Sequence, residues 1–153
     1  MIRGAGVPEG RIANELTSIA DIYPTLGALC GFPVAADIDG NLPAVFGGTE
    51  RDAAVSMSIF PGQTFKLAVR SHEHALRLET QGFVDEDGTA DFAGAKVAIY
   101  PRAHELEDGY ELDSAELRAF FYPRARKIVQ ELANNGEFWP EMRAARPEWF
   151  GEG

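Results

Sequence analysis

The sequence predicts an α+β fold, in which an N-terminal helical segment precedes a small antiparallel sheet of about four strands packed by a C-terminal helix. Three observations support it: one short, well-punctuated helix near the start, alternating apolar and polar segments in the middle, and an apolar stripe at helical spacing near the end. We therefore divide the chain into residues 1–50, with a strand, a helix and a loop, and residues 51–153, the sheet and its helix.

The first predicted helix covers Ile22–Cys30. Asp21 stands before it as a candidate N-cap, and Pro24 falls in the first turn, where a missing N–H costs nothing. Gly31 is a suitable C-terminal stop. The single cysteine of the chain, Cys30, is the last residue of this helix, and we expect it to be a packed, unreactive small side chain.

Three later segments have the alternation that is typical of strands with one covered face, and a fourth segment is a plausible further strand. Short loops join the first three segments, which suits consecutive hairpins. The segments are residues 53–60, 66–71, 75–80 and 95–100. Their apolar side chains should form one face of the sheet, and their Lys, Arg, Glu and Ser side chains the other.

An apolar stripe predicts the C-terminal helix, with Asp113 and Glu116 as a capping pair at its start. Pro123 interrupts the stripe, but the phase is kept across it, so either one kinked helix or two abutting pieces would fit. We expect the helix to end at Asn135-Gly136, and the tail beyond it, which carries both tryptophans, to pack along a surface. The stripe consists of Leu117, Phe120, Phe121, Ala125, Ile128, Val129 and Leu132.

Charge and composition argue against several classes of partner. The chain has 24 acidic and 14 basic residues and a formal charge of -10, so its surface should repel nucleic acid and anionic lipid. No apolar run approaches the roughly 20 residues that span a bilayer, and the N-terminus has no apolar signal region. We therefore expect no nucleic-acid partner and no membrane or signal segment in this chain. The cellular compartment is left open.

Motifs between residues 5 and 80 follow one another in an order that points to a known family. The sequence Leu-Thr-Ser-Ile-Ala-Asp-Ile-Tyr-Pro-Thr-Leu occupies residues 16–26. It is followed by Gly31, Asp39-Gly40, Leu42, Gly47, Ser56 and Ala68-Val69-Arg70. In this order and spacing the chain resembles the C-terminal portion of the sulfatase family, in the alkaline phosphatase superfamily. It departs from the family pattern at Asn41-Leu42, which replaces Arg-Ser-Leu, and at Ala75, where the family usually has a lysine.

The resemblance implies a C-terminal fragment of a sulfatase-like hydrolase, whose complete enzyme hydrolyses sulfuric esters with calcium and formylglycine. It also implies that residues 1–50 are the end of an α/β domain and that their helix lies at the edge of that domain. The family's formylglycine motif, Cys/Ser-X-Pro-X-Arg, and its Asp-Asp and Asp-His-Gly motifs have no counterpart in this sequence, and Cys30 precedes a proline by three positions rather than two. We therefore expect no catalytic residue, metal ligand or cofactor in this chain, and no activity of the isolated chain. Its expected partner is the missing N-terminal catalytic portion or a second copy.

Three cations should lie on the polar side of adjacent strands, namely Lys66, Arg70 and Arg77. One interpretation is a solvated sheet face paired with Glu79. The other is that this face borders the cleft of the catalytic portion and helps to hold an anionic substrate. Because the resemblance places the small C-terminal sheet beside the pocket, Arg70 is the candidate substrate-binding residue.

Two further functions compete with the fragment hypothesis. The first is a self-contained, non-catalytic binding or assembly module derived from the sulfatase scaffold. The second is an independent metal-dependent hydrolase, in which His72 and His74 of a His-Glu-His turn bind a metal together with His104. A polar hairpin turn is the simpler interpretation of that sequence.

Overall fold

The computed structural model describes residues 4, 7, 9–85 and 94–134, and within its last helix the side chains up to residue 131. The fold is α+β, as predicted, with a helix, a four-stranded antiparallel sheet and a C-terminal helix in this part of the chain. The chain forms two compact units, Met1–Ala54 and Val55–Gly153. The elements are α1 (Ile22–Cys30), β1 (Ala54–Ser58), β2 (Thr64–Arg70), β3 (His74–Phe83), β4 (Lys96–Pro101) and α2 (Ala115–Asn134).

Helix α1 is the main element of the first unit, and it has the bounds predicted from the sequence. Gly31 ends it with a φ of 74° and donates its N–H to the carbonyl of Gly27 at 2.9 Å. Asp21 makes no side-chain capping bond to α1, which corrects the prediction. Ser18 instead caps a short 3-10 turn, Ile19–Asp21, that leads directly into the helix. The backbone is therefore already helical at Asp21, and its carboxylate bonds elsewhere.

The buried side of α1 is formed by Pro24, Thr25 and Gly27. Cys30 is exposed, so the expectation that it is a packed side chain is wrong. Cys30 is the last residue of α1, whereas the buried residues of this helix all belong to its first six positions. Several large apolar side chains of this unit are also exposed: Ile12, Ile19, Ile22, Tyr23, Leu26 and Phe32.

The sheet has the strand order β1-β2-β3-β4. In its register Val69 pairs with Leu76, and Leu76 pairs with Ile99, so apolar side chains align across three strands. The predicted alternation is confirmed on β2 and β3, whose apolar face is buried, whereas on β4 Ile99 is buried and Val97 is exposed. It is not confirmed on β1, where Val55 and Met57 are exposed. Strand β1 is at the edge of the sheet and has a neighbouring strand on one side only.

Helix α2 packs against β2 and contributes Phe121 and Ala125 to the core. It is one helix that continues through Pro123, which decides between the two alternatives left by the sequence. Proline cannot donate to the helical ladder and crowds the preceding turn. The carbonyl that loses its donor is that of Ala119, four residues before the proline. The next carbonyl, that of Phe120, accepts a bond from the side chain of Arg124 at 2.7 Å.

The start of α2 differs from the prediction. Ser114 caps the helix, since its Oγ accepts the N–H of Leu117 at 3.4 Å. Asp113 instead pairs with Arg118. The predicted helix end at 135–136 and the tail lie outside the described residues. Within the described residues, no helix is long and apolar enough to cross a membrane.

Candidate functional site

The polar face of the sheet is a regular array of nine side chains, three from each of β2, β3 and β4. The register aligns them in three rows: Lys66, Glu79 and Lys96 in the first, Ala68, Arg77 and Ala98 in the second, and Arg70, Ala75 and Tyr100 in the third. We call this array the cationic sheet face. Successive rows are about 7 Å apart along the strands, because side chains on one face recur every second residue. The three cations grouped by sequence reasoning thus do share one face, and Lys96 joins them.

Arg70, the predicted substrate-binding residue, is held in place by an acidic residue. Its Nε donates to both carboxylate oxygens of Glu105, at 2.9 and 3.0 Å, and its Nη1 donates to Ser56 Oγ at 2.5 Å. The Arg70 side chain is half-buried, and that of Glu105 is largely buried. Arg70 therefore presents a fixed guanidinium whose charge is partly neutralised, rather than a mobile cation.

Glu105 is the organising residue of this region. Its carboxylate also lies 3.3 Å from Nε of Arg102, and its backbone carbonyl accepts a bond from Nη1 of Arg77 at 3.0 Å. One acidic residue thus fixes three arginines. Sequence reasoning did not select Glu105, because it lies 35 residues from Arg70 within an acidic run that has no strand or helix period.

The first row of the array alternates in charge. Glu79 is paired in register with Lys66 on one side and Lys96 on the other, and its carboxylate is 3.1 Å from Nζ of Lys66. The Lys66 side chain is well exposed, so this pair contributes little to stability. With two cations and one carboxylate, the row keeps a positive excess at the rim of the face.

Tyr100 closes the third row and is buried. Its hydroxyl donates to Glu111 Oε1 at 3.4 Å. Burial, followed by the negative charge of Glu111, raises the pKa of Tyr100 above its ordinary value. Hydrogen bonds from its own backbone N–H, from the Gly109 N–H and from the Tyr100 hydroxyl lower the pKa of Glu111. The pair therefore stays phenol and carboxylate near neutral pH, and Tyr100 is not a general base.

A cavity of about 430 Å³ lies over the cationic sheet face. The methyl groups of Ala68 and Ala98 on either side of Arg77 leave room at its centre, and exposed Met57 and Leu106 contribute apolar surface to its lining. A volume of this size is at the lower end of the range of small-molecule sites. The cavity lining thus combines cations with apolar groups.

The His-Glu-His turn does not assemble a metal site in the described part of the chain. His104 stacks on Tyr110, with ring centroids 4.0 Å apart, and its Nδ1 lies 3.1 Å from Glu107. The turn itself is a tight β2–β3 connection, in which Ser71 donates its N–H to the carbonyl of His74 at 2.8 Å. Among the residues described, no group of three His, Cys, Asp or Glu side chains could hold a metal ion.

A second polar cluster, in the first unit, is centred on Asp21. Its carboxylate accepts the N–H groups of Ser18 and Asn41, each at 2.8 Å, and pairs with the guanidinium of Arg51, whose Nε lies 3.1 Å away. Burial would raise the pKa of Asp21, but the bonds from Arg51, Asn41 and Ser18 outweigh it and lower the pKa below its ordinary value. Asp21 is thus an ionised structural anchor, and its partner Arg51 was not identified from the sequence.

Comparisons of the chain with protein-family models, with curated proteins and with solved structures find no match. The motifs of the chain and its two clusters, the Asp21 anchor and the cationic sheet face, therefore carry the proposed function.

Proposed function

We propose that the chain is the C-terminal portion of a sulfatase-like hydrolase, whose complete enzyme cleaves sulfuric esters. In this proposal it supplies scaffold and substrate contact, while the nucleophile and the metal ligands lie in a separate catalytic portion. The observation that carries the proposal is that Asp21 bonds to the backbone of Asn41. This bond joins the Asp-Ile-Tyr-Pro-Thr motif to the Asp-Gly loop, the two most distinctive parts of the resemblance.

The packing of Gly40 gives a physical reason for the spacing of these motifs. A Cβ at this position would lie 2.1 Å from the carbonyl oxygen of Ala20 and 3.1 Å from the ring of Pro24. The Asp-Gly loop can therefore approach the start of α1 only with glycine at position 40. This packing requirement explains why the two motifs occur together in this chain, and so it supports the resemblance of this segment to the family.

An exposed apolar surface on the first unit supports a missing partner. The exposed fractions are 86% for Ile19, 57% for Ile22 and 46% for Leu26. Contiguous exposed apolar patches of this kind mark interaction sites. In the proposal this surface of α1 and the turn before it packs on the catalytic portion, as expected of a helix at the edge of an α/β domain.

Arg70 has the proposed role of holding the anionic group of the substrate at the border of the cleft. Its guanidinium is already oriented by Glu105 and Ser56, so little side-chain entropy is lost when an anion binds. This role is one of positioning and binding, since a guanidinium can orient an anion but is not itself a nucleophile.

The test begins with the genomic DNA upstream of the Met1 codon. We expect it to encode Cys/Ser-X-Pro-X-Arg and Asp-His-Gly, in frame or in a neighbouring frame. When the encoded catalytic portion is co-expressed with this chain, the two should co-purify and hydrolyse 4-nitrophenyl sulfate, which the chain alone should leave intact. Ile22→Asp combined with Leu26→Asp should abolish co-purification, whereas Phe83→Asp, at a more exposed position in the second unit, should not.

In the active complex, Arg70→Gln should raise KM more than it lowers kcat, because the residue is proposed to bind rather than to react. An unrelated upstream region would overturn the proposal and favour the self-contained binding module. Turnover by the isolated chain that is lost in Cys30→Ala would also overturn it.

A further inference from the structure

We propose that the cationic sheet face binds a small organic dianion, with two anionic groups separated by a neutral, flat or apolar body. This inference names the ligand class for the site at Arg70 and in that respect rests on the proposed function. The binding itself requires only residues of the second unit, so it can be tested on this chain alone.

Three of the four cations of the face lie at its two ends. Lys66 and Lys96 flank the first row, and Arg70 lies in the third row, about 13 Å from the first along the strands. Arg77 lies between these rows. A ligand with a single charge can be neutralised at only one end, whereas a dianion with its groups about 10 Å apart can be neutralised at both, given the reach of lysine and arginine side chains.

Charge on this face is opposite in sign to that of the chain as a whole. Within its three rows, four cations, Lys66, Arg70, Arg77 and Lys96, stand beside one carboxylate, that of Glu79, while the carboxylates of Glu105, Asp108 and Glu111 lie around the rows. This is a positive excess in a chain whose formal charge is -10. The Glu105 carboxylate is largely buried beneath Arg70, and Glu79 is the carboxylate within the rows themselves. Removing the charge of Glu79 should therefore strengthen anion binding.

The centre of the face accounts for the neutral body of the ligand. Ala68 and Ala98 each place only a methyl group beside Arg77, and the resulting cavity of about 430 Å³ can hold one or two rings. Met57 and Leu106, exposed at 48% and 80%, offer apolar surface to that body. A purely inorganic anion would leave this apolar surface unused.

The two ends also differ in mobility. Glu105 fixes Arg70 and Arg77 through its carboxylate and its carbonyl, so the arginine end has a defined geometry. Lys66 is 59% exposed and Lys96 is exposed, so the lysine end can adapt to the length of the ligand. We therefore expect the arginine end to select the geometry of one anionic group and the lysine end to tolerate variation in the spacing of the other.

The test is isothermal titration calorimetry of the full chain with biphenyl-4,4'-dicarboxylate at low ionic strength. Biphenyl-4-carboxylate is the single-charge probe. The dianion should bind about tenfold more tightly, which corresponds to about 1.4 kcal/mol. Its affinity should fall with added salt, since exposed charges are screened. Equal affinity for the two probes, or no binding of the dianion, would overturn the inference.

Four variants assign the binding to this face. Lys66→Gln combined with Lys96→Gln should lower the affinity for the dianion about tenfold and leave the affinity for the single-charge probe unchanged. Glu79→Gln should tighten dianion binding severalfold. Ala98→Phe should abolish binding of both probes without altering a charge, because it fills the cavity. The matched control is Lys127→Gln, an exposed lysine on α2, which should leave both affinities unchanged.

An equal loss of affinity in Lys127→Gln would show nonspecific binding to lysines and would overturn the inference. The two proposals fail separately. Co-purification with the catalytic portion but no dianion binding would overturn the inference alone. Dianion binding by this chain, with an unrelated upstream region, would overturn the proposed function and leave the binding site.

Discussion

The two units of the chain are held by different kinds of interaction. In the first unit the buried residues include Asp21 and Thr25, which are tied by directional hydrogen bonds, while several large apolar side chains are exposed. In the second unit the fully buried residues are mainly apolar, from the central strands and α2. The first unit should therefore respond to changes in charge and close backbone packing, and the second to changes in side-chain volume.

The largest loss of stability is expected from removing a large side chain from the core of the second unit. Phe121 is fully buried, so Phe121→Ala should leave a cavity and lower the free energy of unfolding by about 3–5 kcal/mol. The neighbouring Phe120 is only half-buried, and Phe120→Ala should cost clearly less. Denaturant unfolding with hydrogen exchange of β2 and β3 measures both losses, and equal losses would contradict a core centred on Phe121.

Gly40→Ala tests the close backbone approach in the first unit. The added Cβ would lie 2.1 Å from a backbone oxygen that cannot turn away, so we expect a loss of about 3 kcal/mol. Gly82→Ala is the control, since a Cβ there meets nothing within 4 Å. Reduced amide protection in α1 for the first variant, and unchanged protection for the second, is the expected exchange result.

Asp21→Asn tests the charge-dependent anchor. An asparagine has one acceptor oxygen and no charge, so it cannot satisfy Arg51 together with both backbone donors, and we expect a loss of about 2 kcal/mol. The pKa of Asp21 in the folded state is below its ordinary value of 3.8, so its ionised form stabilises the native state above that pH.

That stabilisation should be lost as the pH falls through the lowered pKa of Asp21. Unfolding of the parent chain and of Asp21→Asn should therefore differ most at neutral pH and converge in acid. A difference between the two proteins that stays constant down to about pH 2 would show that the charge of Asp21 is not what matters.

Ser114→Ala should have the smallest effect. Removal of the Oγ that accepts the Leu117 N–H should cost about 1 kcal/mol, the usual value of an N-cap. Because Asp113 pairs with Arg118 rather than capping α2, Asp113→Ala should cost less. If Asp113→Ala instead lowered the thermal unfolding midpoint more than Ser114→Ala, Asp113 would be a cap of α2, as the sequence predicts.

Secondary structure could be predicted from the sequence where it depends on residues close together in the chain. Helix α1 is set by turn residues within ten positions, and the strands by alternation over six to eight residues, so their presence could be predicted. Pairings over long separations could not be predicted in this way. Asp21 and Arg51 are 30 residues apart, and Arg70 and Glu105 are 35 apart, with no period that links them.

The candidate site was accordingly predicted in part. Alternation on β2 and β3 places Lys66, Arg70 and Arg77 on one face, as their register confirms. The acidic residue that fixes two of these arginines, and the contribution of Lys96, depend on how the segment after β4 folds back. The exposure of Cys30 also depends on tertiary packing, since small apolar residues at a helix end have no strong local preference.

The bond between Arg70 and Glu105 has a consequence for the order of folding. It joins residues 35 positions apart, one at the end of β2 and the other after β4, so its formation early in folding carries a large loop-closure cost. Contacts that form late have little influence on the folding transition state. We expect Glu105→Gln to accelerate unfolding and leave the folding rate nearly unchanged. The arginine end of the cationic sheet face would then be the last region to form and the first to open. An anion bound there would stabilise the native state but not the transition state, so it would chiefly slow unfolding and prolong the lifetime of the native state.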